Sequence, residues 1–168
     1  MNKSLILTIA TLLTGCANMT EPVEIKRISF PESEYLSLPQ SGSGKISGQV
    51  FLKTTGGEVK YGAGSKVWLN PKTSYSDQWY SIQQQNNFNI YGYGIKKLNN
   101  PNIRISDFVK ETQADGFGYF NFDNVPPGLY YLSSGVIWQP IKGAPQGGLI
   151  VKIIKVVDDK EIEIMLTR

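Results

Sequence analysis

Short runs of alternating apolar and polar residues, stopped by glycine, proline or an Asp-Gly turn, constrain this chain more than any other feature. Ile46, Gly48, Val50 and Leu52 share one parity. Val67 and Leu69 flank Trp68, and Pro71 follows. Phe120 and Phe122 alternate with polar neighbours, and Ile162, Ile164 and Leu166 alternate with Glu161, Glu163 and Met165. Side chains point to opposite faces at period two along a strand, so each run has one face to bury. The breakers between runs are turn-formers: Thr54-Thr55-Gly56-Gly57, Asp115-Gly116 and Pro126-Pro127-Gly128. Further strands are expected at 129–137, and at 149–157 and 161–166 as a last hairpin turned by Asp158-Asp159-Lys160. About seven strands result, spaced as in a β-sandwich.

Composition narrows the chemistry. The 168 residues include no histidine and one cysteine. A histidine-based triad, general base or metal site is therefore excluded, as are an intrachain disulfide and a cysteine-cluster metal site. A net charge of +3 with 18% charged residues does not suggest a nucleic-acid partner. Paired carboxylates are the remaining route to an enzyme of glycosidase type. No pair stands in a recognisable motif: Asp115 is in a turn, Asp158 and Asp159 are at a hairpin tip, and Glu161 and Glu163 line a solvent face. The expectation is a protein without catalysis, metal or cofactor, working by position and contact.

The N-terminus gives an address. Lys3 precedes an apolar run, Leu5 to Leu13, too short to span a bilayer. It ends in Leu13, Thr14, Gly15 and Cys16. This resembles the lipobox of bacterial lipoproteins, in which cleavage before the cysteine leaves a diacylglyceryl group on its sulfur. The resemblance implies a signal peptide over 1–15 and a covalent lipid at Cys16. Ala17, in place of the aspartate that retains such proteins at the inner membrane, implies the outer membrane, with the domain facing the periplasm or the exterior. Residues 16–44 are read as a lipidated N-terminus and linker, with Val23 to Ile28 a short strand against the domain edge. Residues 45–168 are read as the domain.

Four pieces of that domain carry a second resemblance: Ile46 to Phe51, Ala63 to Leu69, Thr112 to Phe122 and Val125 to Tyr130. The last two form a T-x-A-D-G-x-G-x-F-x-F-x-x-V-P-P-G-x-Y run. Lys45 to Leu132 resembles the carboxypeptidase regulatory-like family, and is similar to Cna B-type repeats. The resemblance implies an all-β, transthyretin-like (prealbumin-like), seven-stranded Greek-key sandwich, which in that family is a non-catalytic appendage. The departures are a first loop lacking its proline and a long insertion over 72–110.

That insertion concentrates Asn, Gln and aromatics. Tyr75, Trp79 and Ile82, at spacings of four and three, predict a short helix over 77–85, capped by Ser76 or Asp77. Aromatic faces stack on sugar rings and amides bind hydroxyls. Trp79, Tyr80, Tyr91, Tyr93 and Trp138 are therefore the candidate ligand-binding residues, with Gln78, Gln83 and Gln139 nearby in sequence. The bland alternative is that these aromatics glue the insertion to the sandwich. Two roles follow for a membrane-anchored domain: a structural or protein-contact module at the envelope, or a module binding carbohydrate or peptidoglycan.

Overall fold

Each alternating run buries its apolar parity by facing another. The structure, a computed structural model, describes residues 21–90, 95–99, 101–140 and 142–168. In chain order the elements are β1 (Val23–Ile25), α1 (Glu32–Ser37), β2 (Gly44–Lys53), β3 (Val59–Tyr61), β4 (Lys66–Pro71), α2 (Ser74–Gln85) and β5 (Lys96–Leu98). A 3-10 turn, Ile103–Asp107, precedes β6 (Lys110–Gln113), β7 (Tyr119–Val125), β8 (Gly128–Trp138), β9 (Gln146–Val156) and β10 (Glu161–Leu166). The molecule is an all-β protein with two helices. No helix among the described residues is long and apolar enough to cross a membrane.

Two sheets carry the core. In the first, β2 pairs β10 in parallel, and pairs β7 and then β3 antiparallel. The second is antiparallel with order β6-β4-β8-β9. Ile46, Val50 and Leu52 of β2, Phe120 and Phe122 of β7 and Leu166 of β10 join one buried cluster with Val67 and Leu69 of β4, Leu132 of β8 and Ile150 of β9. The predicted inward parity holds at Ile46, Val50, Leu52, Val67, Leu69, Phe120, Phe122 and Leu166. Gly48 also has this parity, but as a close approach: a Cβ there would lie 2.1 Å from the Ile164 carbonyl oxygen and 2.9 Å from Phe120. Tyr130 closes one end of the core by donating to the Pro126 carbonyl at 2.9 Å.

Three expectations are corrected. First, β9 and β10 do not form a hairpin, because β9 pairs β8 while β10 pairs β2. Each has one apolar face, and those faces bury more by packing across the core than by lying side by side. The intervening turn crosses between sheets, with Asp158 accepting from the Ser43 N–H at 2.9 Å. Second, the helix begins earlier. Thr73 is its cap, accepting from the Ser76 N–H while the Ser76 hydroxyl accepts from the Thr73 N–H, a reciprocal box. Third, the segment read as a spacer is docked. Tyr35 on α1 is fully buried, stacked on Phe30 at 4.9 Å and packed on Phe108 at 4.7 Å. Phe30 also meets Tyr75 edge-on at 5.4 Å. These rings form a small second core, which takes up part of the insertion's aromatic surplus.

Candidate functional site

Helix α2 lies on the outer face of the second sheet, and its two stripes have different work. Asp77 and Tyr80 hold it down. The Tyr131 hydroxyl, from β8, donates to Asp77 Oδ1 at 2.6 Å, and Lys72 Nζ donates to both carboxylate oxygens at 2.8 Å. Tyr80 stacks on the Tyr131 ring at 4.7 Å, and Trp79 meets that ring edge-on at 6.3 Å. Burial first, then the Asp77 carboxylate, pushes the Tyr131 phenol well above its ordinary pKa. The other stripe is Tyr75, Trp79 and Gln83, spaced i, i+4, i+8 on one side of the helix. That side lines a cleft.

The opposite wall comes from far away in sequence. Asn86, at the end of α2, grips one backbone residue with both ends of its amide: Nδ2 donates to the Lys96 carbonyl at 2.8 Å, and Oδ1 accepts from the Lys96 N–H at 2.9 Å. This fixes β5, which pairs in parallel with β1. Gln78 repeats the device on the N-terminal segment, accepting from the Ile28 N–H at 3.0 Å and donating to the Lys26 carbonyl at 2.9 Å. Arg27 is thereby held over the Tyr75 ring, its guanidinium carbon 3.7 Å from the centroid, with Nη2 donating to the Tyr75 carbonyl at 3.1 Å. The Tyr75 hydroxyl in turn accepts from the Asn102 N–H at 2.9 Å.

The result is a cleft of about 360 Å³ between α2, β4, β5 and the N-terminal segment. It presents the Trp79 ring, the Asn70 and Gln83 amides, and the Arg27, Lys96 and Lys97 cations, with Leu98 and Ile105 as apolar lining. Asn70 Oδ1 and Arg27 Nε are buried with no hydrogen-bond partner among the described residues. Each such orphan costs about 1–3 kcal/mol. An aromatic face with a few convergent polar groups is the usual make-up of a small-molecule site.

A second, open groove of about 440 Å³ crosses the outer face of β2, β7 and β10, with Tyr119 and Met165 half exposed. Several of its polar groups already have partners. Asp115 Oδ1 accepts from the Phe117 and Tyr119 N–H groups at 2.8 and 2.9 Å, and Gln49 donates to the Phe117 carbonyl at 2.8 Å. The cleft beside Trp79 is the better candidate.

The candidates read from sequence do not share one site. Trp79 and Gln83 line the cleft. Tyr80 packs against Tyr131. Trp138 bonds Gln146 Oε1 at 3.2 Å beside another cleft. Along β8 it is about 23 Å from Tyr131, at ~3.3 Å per residue. Gln78 is a staple, and Gln139 donates to the Gly143 carbonyl at 2.6 Å. Tyr91 and Tyr93 lie outside the described residues, as do Leu13, Thr14, Gly15 and Cys16. Sequence reasoning missed Arg27, Asn70, Lys96 and Lys97. Only Asn70 had a signal, its outward parity on β4 beside Leu69.

No family profile and no curated protein matches the chain. Among solved structures, it is similar to a proposed carbohydrate-binding protein from Pseudomonas aeruginosa. The two share 31% identity and a TM-score of 0.74, over 84% of this chain and 99% of that one. A 9R-lipoxygenase from Cyanothece aligns at 13% identity and a TM-score of 0.29, over 84% of this chain and 18% of that one, which carries no argument.

Proposed function

The chain belongs to the family of that Pseudomonas aeruginosa protein, and on this premise we propose that it is a non-catalytic glycan-binding protein, held at the bacterial outer membrane by a lipid on Cys16. The observation that carries the binding reading is the cleft: a half-buried tryptophan face beside two amide residues and basic residues. Of the two roles expected from sequence, the relative favours carbohydrate over protein contact. Among the described residues no carboxylate lines the cleft, and the chain has no histidine, which supports a binding role. The lipid anchor is supported by the fit of Leu13 to Cys16 to a lipobox and by the cysteine's being the chain's only one. A transthyretin-like sandwich of the carboxypeptidase regulatory-like kind is supported by the Thr112 to Tyr130 run. That run builds the end of β6, the Asp-Gly turn, β7 and the start of β8.

The test is a glycan array and a peptidoglycan pull-down with the full chain in detergent. Trp79→Ala should weaken binding about tenfold or more, since it removes the stacking face. Trp138→Ala should leave binding intact. Equal retention by the wild type and Trp79→Ala would overturn the reading. For the anchor, Cys16→Ser should leave the membrane fraction; a variant that still fractionates with membranes after processing refutes lipidation.

A further inference from the structure

We infer that the ligand of the Trp79 cleft is an acidic glycan, one whose sugar rings carry carboxylates; this rests on the glycan reading above and narrows it. Among the described residues, Arg27, Lys96 and Lys97 line the cleft, and no aspartate or glutamate does. None of the three joins an ion pair among the described residues. The pairs there are Lys60–Glu58, Lys66–Glu111, Lys72–Asp77 and Arg104–Glu32. Lys96 Nζ donates to the neutral Gln85 Oε1, and Arg27 rests on a ring and a carbonyl. Glu24, beside Lys97 in the β1–β5 register, forms no ion pair with it among the described residues.

Like charges gathered at a partly desolvated wall repel one another, and an anion placed among them relieves that repulsion. Charged N–H donors make the strong hydrogen bonds to a carboxylate. A bare anion would leave the other half of the cleft without a role. Trp79, Leu98 and Ile105 form an apolar surface suited to the C–H face of a pyranose, and the Asn70 and Gln83 amides suit ring hydroxyls. Charge and stacking face together select a sugar acid over a neutral sugar and over a free ion.

The experiment titrates the full chain in detergent with oligosaccharides of galacturonate, glucuronate and mannuronate. Beside them are run galactose, glucose and mannose oligomers of equal length, and inorganic phosphate. At least one acidic series should bind, weakening as salt rises. Lys96→Gln with Lys97→Gln should reduce that binding about tenfold or more, because hydrogen bonds to charged groups are the strong ones. Lys53→Gln with Lys142→Gln removes the same charge from exposed positions elsewhere and should change nothing. If neutral oligomers bind as tightly as acidic ones in a Trp79-dependent way, or the Lys96/Lys97 variant binds like wild type, the acidic preference is wrong while the glycan reading stands. If phosphate competes as well as a uronate monosaccharide, the cleft is a plain anion site and the inference fails. If no oligosaccharide binds and the peptidoglycan pull-down is also negative, both fall.

Discussion

Replacing Asn86 by alanine should open the wall of the cleft without loosening the sandwich. The side chain makes two hydrogen bonds to the backbone of Lys96, at 2.8 and 2.9 Å. At about 1 kcal/mol net for each, their loss weakens the attachment of β5 by ~2 kcal/mol. β5 and β1 are each three residues long, so little else opposes a local opening there. The reporters are amides that depend on the pairing but do not touch Asn86: Val23, which donates to the Ile95 carbonyl at 3.0 Å, and Asn99, which donates to the Ile25 carbonyl at 3.0 Å. Their hydrogen exchange should quicken about 30-fold, the factor that ~2 kcal/mol represents. Core amides such as Val50, bonded to the Gly118 carbonyl at 2.8 Å, should keep their protection. Glycan affinity should fall with Val23 and Asn99, because Arg27 and Lys96 no longer face Trp79 in a fixed geometry. Unchanged exchange at Val23 and Asn99 would refute the reasoning and leave Gln78 as the sufficient clamp. Loss of protection at Val50 would refute it the other way, by showing that the satellite and the core open together.

Other perturbations separate the frame from its attachments. Leu69→Ala, at a fully buried position between the sheets, should cost about 2–5 kcal/mol by urea denaturation. Gly118→Ala should cost about 2 kcal/mol or more, because its φ is +83° and a Cβ would lie 2.4 Å from the Val50 carbonyl oxygen; thermal melting reads this directly. Tyr131 is held neutral in the folded protein, so its contribution is full below the ordinary tyrosine pKa of about 10 and is lost as pH rises beyond it. Stability measured from pH 8 to 11 should therefore fall less steeply in Tyr131→Phe than in wild type; parallel curves would refute this.

The core was legible and the site largely was not, for one physical reason. Period-two alternation is a local pattern, so the inward faces of β2, β4, β7 and β10 could be read from a few residues each. What a strand pairs with is not local. Nothing in Asp158-Asp159-Lys160 distinguishes a hairpin from a crossing between sheets, and the crossing wins because the apolar faces of β9 and β10 can then meet across the core. The helix of the insertion was readable from Tyr75, Trp79 and Ile82, but its start was set by Thr73, whose reciprocal bond with Ser76 is not the usual Ser/Thr-x-x-Glu box. Arg27 and Trp79 share a cleft only because β1 finds β5 and Gln78 grips residues 26 and 28. Lone arginines and lysines in polar stretches carry no sequence mark of such a meeting.

The placement of Arg27 makes the N-terminal segment part of the site. The segment before β2 is wall as well as linker: among the described residues it supplies Arg27 to the cleft and Phe30 and Tyr35 to the aromatic core beneath it. A fragment beginning at Ser41 keeps β2 to β10 and their shared core, so its β-sheet circular dichroism should match that of the full chain. It loses the guanidinium, the partner strand of β5 and the cover over Tyr75 and Phe108. Its melting temperature should drop, and its affinity for any glycan the full chain binds should fall by an order of magnitude or more, as removal of a charged contact and of preorganisation together predicts. Full affinity in that fragment would show that the N-terminal segment is only a spacer, and that the cleft draws its specificity from α2 and β5 alone.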